Sequence, residues 1–237
     1  MATTTQDASS GNRFDDMAES WDDRPDVRET THHAYEAILK SGYPFDPNAT
    51  SVMEFGCGTG MLSMKLAPHI KSVLGVDASE GMIKVFSRKI ANLPTTAPEL
   101  VSKFPYKPQS IFLERPGQLA GLGGTDGSGL FDIIVTHLAY HHIEDLQSMT
   151  DLLVQYLRPH GRLLISDFEQ TFTSKYFHPS SHWHDVEHHG IDKNALHTIL
   201  TRAGLFNVSV ETAFTLQKPT ESGDLSFPFL LAQGQLG

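Results

Sequence analysis

Three glycines and two acids carry the most tightly spaced chemistry in this chain. Gly56, Gly58 and Gly60 alternate with Cys57 and Thr59 directly after the apolar run 52–55, and residues 61–67 read as the first turns of a helix. Glycine serves where a backbone needs unusual dihedrals or must let a ligand come close, and a helix start offers free N–H donors. The spacing narrows the ligand. A dinucleotide fingerprint carries its third glycine at the sixth position, where this chain has Met61, and a phosphate loop ends in Gly-Lys-Ser/Thr, which is absent here. What remains is a nucleoside site facing something less charged than a pyrophosphate. Glu54 lies two residues before Gly56, where a strand-end carboxylate can meet a cation. A second apolar run, 72–76, ends in Asp77, 17 residues after Gly60, where an acid in a βαβ unit accepts hydrogen bonds from both ribose hydroxyls.

A compound with an ammonium, a carboxylate and a free ribose but no phosphate is S-adenosylmethionine. Glu54-Phe55-Gly56-Cys57-Gly58-Thr59-Gly60 followed by Val76-Asp77-Ala78-Ser79 resembles the class I S-adenosylmethionine-dependent methyltransferase family, small-molecule type, similar to the enzymes of ubiquinone and menaquinone biosynthesis. The resemblance covers about residues 14–233. It implies an α/β fold: a doubly wound, Rossmann-like, seven-stranded sheet, mostly parallel with an antiparallel C-terminal hairpin, and N-terminal helices over the cleft. It implies cofactor contacts at Glu54, Gly56, Cys57, Gly58, Gly60, Asp77 and Ala78, with Met82 near the adenine and Thr136 and His137 at the end of the fourth strand. Where relatives show an Asp-Ala-x-x-Leu-like turn, this chain has Glu114-Arg115-Pro116-Gly117-Gln118-Leu119, so Glu114 and Gln118 stand in imperfectly for the adenine contacts. The implied reaction is in-line displacement of a methyl group onto a small-molecule acceptor, leaving S-adenosylhomocysteine.

Such a displacement asks mainly that the acceptor be held behind the methyl group. A base is needed only when the acceptor's proton must leave early, and histidine suits that near neutral pH. His137, Tyr140, His141 and His142 follow the fourth strand and are the catalytic candidates. The same place in amino-methylating nucleic-acid enzymes carries an Asn/Asp-Pro-Pro-aromatic motif, which His137-Leu138-Ala139-Tyr140 does not match. Trp21, His141, Trp183, His188 and His189 are candidates for the acceptor side. His184 and His188 are four residues apart, a spacing that puts two imidazoles on one helical face. No third ligand is marked, and the sequence assigns no metal.

Positioning these residues takes a regular alternation of elements. Phe14, Met17, Ala18 and Trp21 recur at helical spacing, and a helix from Pro25 to Lys40 follows. Ser79 reads as the N-cap of a helix over 80–92, and the proline-bearing stretch 93–108 as a loop. Strands are expected at 109–113, 131–136 and 162–168, with helices at 144–157 and 192–203. Strands at 208–217 and 227–233 close the sheet. Residues 1–12 read as a disordered tail and 13–237 as a single domain, with 13–45 a helical cap and 169–190 a lid-like insertion.

Composition sets the outer bounds. The 237 residues suit one α/β domain, and no apolar run reaches the ~18 residues that span a bilayer. The lone cysteine rules out an intramolecular disulfide and, with no apolar leader, points to a reducing, cytoplasmic setting. A net charge of −10 without any basic run argues against nucleic acid as a partner. Two other readings stay open: a protein or nucleic-acid methyltransferase, and a non-catalytic protein that keeps the cofactor fold.

Overall fold

The structure is a computed structural model that describes residues 14–237. The expected tail, residues 1–12, lies outside them. Seven strands form one sheet: β1 (Ser51–Phe55), β2 (Ser72–Asp77), β3 (Gln109–Ser110), β4 (Phe131–His137), β5 (Leu157–Phe168), β6 (Phe206–Thr220) and β7 (Gly223–Gln235), in spatial order β3-β2-β1-β4-β5-β7-β6. The first five are parallel, while β7 runs antiparallel between β5 and β6. This is the mostly parallel, doubly wound sheet with an antiparallel hairpin that the sequence led us to expect.

β1 and β4 are buried along almost their whole length, as strands covered on both faces must be. They are also where the strand order reverses, so their carboxyl ends diverge and leave a crevice at the switch point. Among the described residues, the helices that flank the sheet are α1 (Pro25–Leu39), α2 (Met61–Leu66), α3 (Glu80–Thr96), α4 (Leu146–Val154) and α5 (Lys193–Arg202). Ser79 caps α3 by accepting the Met82 N–H at 3.1 Å, and Asp145 and Asp192 do the same for α4 and α5. Ahead of α1, residues 14–17 are helical and Ala18–Asp23 tighten into a 3-10 helix, burying Ala18 beside Met82 and Val85 of α3.

Several bounds differ from expectation. α3 runs on to Thr96, with Pro94 in its last turn, and a 3-10 helix at Pro98–Lys103 fills part of the expected loop. β3 shrinks to two residues, because only Val76 and Asp77 of β2 offer it a partner. β5 begins at Leu157 instead of 162, taking in the residues read as a turn; its pairing with β4 is irregular there, with His160 at φ 66°. The closing turn is cut to Glu221-Ser222, because pairing continues out to Thr220 and Gly223. Pro219 is tolerated in β6 because that strand is the sheet edge.

Candidate functional site

The turn after β1 is shaped by what packs on it. A Cβ on Gly56 would fall 2.4 Å from the Cβ of Ala139, so this glycine lets the turns after β1 and β4 touch. Gly60, the N-cap of α2 at φ 78°, lies under the ring of Phe86, where a Cβ would come within 2.3 Å. The N–H groups of Gly56 and Cys57 donate to the Val76 carbonyl at 2.8 and 3.1 Å, stitching the turn to the end of β2. Asp77 completes the stitch: its carboxylate accepts the Gly58 N–H at 2.7 Å and the Ser79 N–H at 2.8 Å.

These turns floor a first cleft of about 1120 Å³, counted out to its open mouth. Glu54, Gly56, Cys57, Gly58, Asp77, Ala78, Met82 and His137 all line it, with Ile111, Phe112 and Leu113 on the β3 side and Phe14 and Trp21 above. The charges here are unusual. Burial pushes the Glu54 carboxyl from its ordinary value near 4.5 up to about 8, against a hydrogen bond from the Ser63 hydroxyl. Burial also raises Asp77, while the N–H groups of Ser79 and Gly58 hold it down. The Cys57 thiol is driven well above its normal range by burial, which makes it a small filler and no nucleophile.

His137 is pushed down to about 4 by burial, with Nδ1 3.2 Å from the Ser166 hydroxyl. Its buried Nε2, like the Thr136 hydroxyl, has no hydrogen-bond partner among the described residues. An acid at the end of β2, apolar walls at 111–113, a buried carboxyl at the end of β1 and a spare imidazole nitrogen together fit a nucleoside with a charged amino-acid tail. Gly60 and Thr136 sit behind this wall and do not line it.

Glu114 and Gln118 are displaced from the expected adenine side. Glu114 opens on a separate, shallow pocket with Ile143 and Asp145. Gln118 accepts the N–H groups of Glu114 and Arg115 and donates to the Phe112 carbonyl at 3.1 Å, so it holds the turn that presents Phe112. Ile111 N–H donates to the Asp77 carbonyl at 2.8 Å, which brings apolar side chains to the cleft where an acid was expected.

A second cleft, of about 980 Å³, adjoins the first and shares Phe14, Trp21, Val27, Leu138 and His142 with it. Its far wall is the 3-10 pair Ser174–Phe177 and Ser180–Asp185, which contributes Phe177, His178, His182 and Asp185. His141, from the turn after β4, is buried against this wall. Its ring Nδ1 lies 2.9 Å from Asp167 and its backbone N–H donates to the same carboxylate at 3.1 Å. Burial lifts Asp167 to about 6, and the N–H groups of His141 and Phe168 hold it from rising further. The carboxylate fixes His141 with Nδ1–H as donor, which turns Nε2 away from Asp167 and leaves it 3.2 Å from Nε2 of His178. Asp26 lies on the opposite side; burial opposes its ionisation, yet Lys218 and Arg24 hold it at about 2.

Tyr140 does not belong to either cleft. Its ring is in the core and its hydroxyl bonds Thr150 of α4 at 3.1 Å, with burial raising its pKa far from any acid–base use. The acceptor-side candidates Trp183, His188 and His189 also fall outside both linings. Trp183 donates its indole N–H to the His178 carbonyl at 3.1 Å, and His188 Nε2 bonds the Ile143 carbonyl at 2.9 Å. His189 accepts the Ser174 hydroxyl at its backbone carbonyl. All three brace the wall instead of facing into it. His184 is exposed beside Asp185, while His188 lies beyond that 3-10 turn, so the two share no helical face. Asp167 and His178 were not among the sequence candidates. Asp167 had a usable signal, an acid at the carboxyl end of a parallel strand; His178 sits in a stretch with no periodicity and had none.

A family model described as a methyltransferase domain matches residues 24–210. An uncharacterised methyltransferase of Schizosaccharomyces pombe is 30% identical over 166 residues, which are 68% of this chain and 55% of that protein. The malonyl-[acyl-carrier protein] O-methyltransferase of Priestia megaterium is 25% identical over 158 residues, 66% of this chain and 50% of its own length. The chain thus spans about half the length of these curated relatives. Among solved structures, the N-methyltransferase NodS of Bradyrhizobium japonicum, in complex with S-adenosyl-L-homocysteine, superposes with a TM-score of 0.63 at 20% identity, covering 96% of this chain and 98% of that one. Sheet order, the turn after β1 and the family match agree: the chain belongs to the class I S-adenosylmethionine-dependent methyltransferases.

Proposed function

We propose that this protein binds S-adenosylmethionine in the first cleft and transfers its methyl group to a small-molecule acceptor held in the second. The observation that carries the reading is the pair of adjoining clefts with one shared wall. The first has the residues of a nucleoside site; the second is bounded on its far side by the segment 174–186 and is of small-molecule size. The cofactor supplies an electrophilic methyl group on a sulfonium.

The chain's own residues bind and orient. Asp77 accepts from the ribose hydroxyls with the lone pairs that Gly58 and Ser79 leave unused. Met82 and residues 111–113 give the base an apolar slot. Glu54 offers a carboxyl whose proton leaves when a cationic group arrives, since an opposite charge favours the ionised form. Phe14 and Trp21 exclude water from the shared wall. His141, oriented by Asp167, presents Nε2 to the second cleft, where an acceptor's polar hydrogen meets it. The net charge of −10 and the walled second cleft both favour a small acceptor over a nucleic acid.

Calorimetric titration with S-adenosylhomocysteine tests the first half, with micromolar binding expected and no heat overturning it. Incubation with a methyl-labelled donor and a metabolite extract tests the second. Label should appear in a small molecule, and label found only in protein or nucleic acid would overturn the acceptor class.

A further inference from the structure

His141, His142 and His178 make a constellation that methyl transfer alone does not call for. They come from two parts of the chain, the 3-10 turn Tyr140–His142 after β4 and the wall beyond β5, and one ring nitrogen from each lies within 4.8 Å of the other two. Nε2 of His141 and Nε2 of His178 are 3.2 Å apart. Two nitrogens bound tetrahedrally at zinc distances of about 2.0–2.1 Å stand about 3.3–3.4 Å from each other. The pair already has the bite of a metal ion. A single shared proton would also satisfy these two nitrogens, but it gives no reason for a third imidazole, whose ring centroid is 4.0 Å from that of His141.

The surroundings are those of a metal ligand set. Metal-bound histidines donate their other ring N–H to a carboxylate or a carbonyl, which fixes the tautomer, and Asp167 does this for His141 at 2.9 Å. All three rings line the second cleft, and His142 reaches the first as well.

We propose that His141, His142 and His178 hold a divalent transition-metal ion in the wall of the second cleft, with a coordination position open towards the acceptor. Three protein nitrogens and an open fourth place is the pattern of catalytic zinc, and imidazole is equally suited to copper, iron and nickel. Ion binding stands on the geometry alone; only its use in the reaction rests on the function proposed above. An acceptor hydroxyl reaching the open position becomes more acidic, as water does on zinc. Its O–H bond breaks, the proton passes to solvent, and the electron pair stays on oxygen. His141 then gives its lone pair to the ion, and the ion takes over its part in the acceptor's ionisation.

Protein stripped with a chelator is titrated with cobalt(II), whose visible absorption reports imidazole coordination. One equivalent should bind, with bands that added zinc abolishes. His178→Ala should lose them, weakening cobalt binding by more than the ~100-fold that a change outside the ligand set can cost, while Asp167→Asn weakens it by roughly 10–100-fold. His142→Ala removes a second ligand independently, and thermal melts show that each variant is folded. Wild-type protein that takes up no cobalt, or a folded His178→Ala that binds it as tightly as wild type, overturns the site; the latter result would place the ion on exposed histidines such as His182 and His184. Binding of S-adenosylhomocysteine to His178→Ala is read in parallel. Loss of nucleoside affinity in the wild type would defeat the proposed function without touching the metal.

Discussion

Asp77 is engaged before any ligand arrives, and this sets what its removal costs. Asp77→Ala leaves the Gly58 and Ser79 N–H groups unanswered and, in the function proposed above, takes away the acceptors for two ribose hydroxyls. At about 1 kcal/mol or more for each lost bond, S-adenosylhomocysteine affinity should fall about 30-fold or more, read by calorimetry. Equal affinity in mutant and wild type would remove Asp77 from the site. Glu54 makes the opposite kind of statement. Its folded pKa, about 8, stands above the ordinary value near 4.5, so the folded protein holds a proton that the unfolded chain releases across that window. The stability this group contributes is therefore complete below about pH 4.5 and declines as pH rises through 8. Melting temperatures of wild type and Glu54→Gln, measured from pH 5 to pH 8, should diverge in the mutant's favour as pH rises; parallel curves would refute the buried-acid assignment. Both acids were legible in the sequence because each closes a strand at a fixed distance from the glycine turn. Glu114 misled because the same spacing logic does not see Gln118 folding the turn back on Phe112.

Among the elements, α2 depends most on a single position. Gly60→Ala meets both a left-handed backbone and the ring of Phe86, so it should destabilise the protein by about 2–5 kcal/mol in urea denaturation. A shift under about 0.5 kcal/mol would show that Phe86 yields freely. The first segment is tied down differently. Asp15 accepts the Ser79 hydroxyl at 2.6 Å and the Gly81 N–H at 2.7 Å, Asp22 accepts the Thr59 hydroxyl at 2.5 Å and pairs with Lys89, and Glu19 pairs with Arg88. Its apolar period announced a helix, which residues 14–17 adopt, but these polar anchors pull the chain into a tighter 3-10 turn from Ala18. The α-helices were legible from their caps and amphipathic spacing. The 3-10 pair after β5 was not, since its aromatic and histidine side chains pack on one another with neither period.

For the molecule as a whole, the seven-stranded, mostly parallel, doubly wound sheet and its closing hairpin were readable once the glycine turn had pointed to the family, because they belong to that fold. What no local pattern supplied was which chain segments meet at the second cleft, where His141, His178 and Lys218 arrive from three separate regions. The hairpin also matters to solubility. β7 covers one edge of β5 and buries Phe227, Phe229, Leu230 and Ala232. A chain ending before Phe206 would bare that edge and its apolar faces, so it should partition into the insoluble fraction on expression; a soluble, monomeric product would contradict the pairing.

Phe14 and Trp21 stand edge to face at 5.9 Å over both clefts, and the chain leaves them through the extended backbone of Arg24. One pair of rings therefore roofs both clefts, so in the function proposed above the cofactor and the acceptor lie under a single cover. Asp22 is one of the ties that hold this cover: its replacement by alanine removes the acceptor of the Thr59 hydroxyl and the carboxylate partner of Lys89, which keeps its bond to the Thr59 carbonyl, and release of bound S-adenosylhomocysteine should quicken in stopped-flow traces.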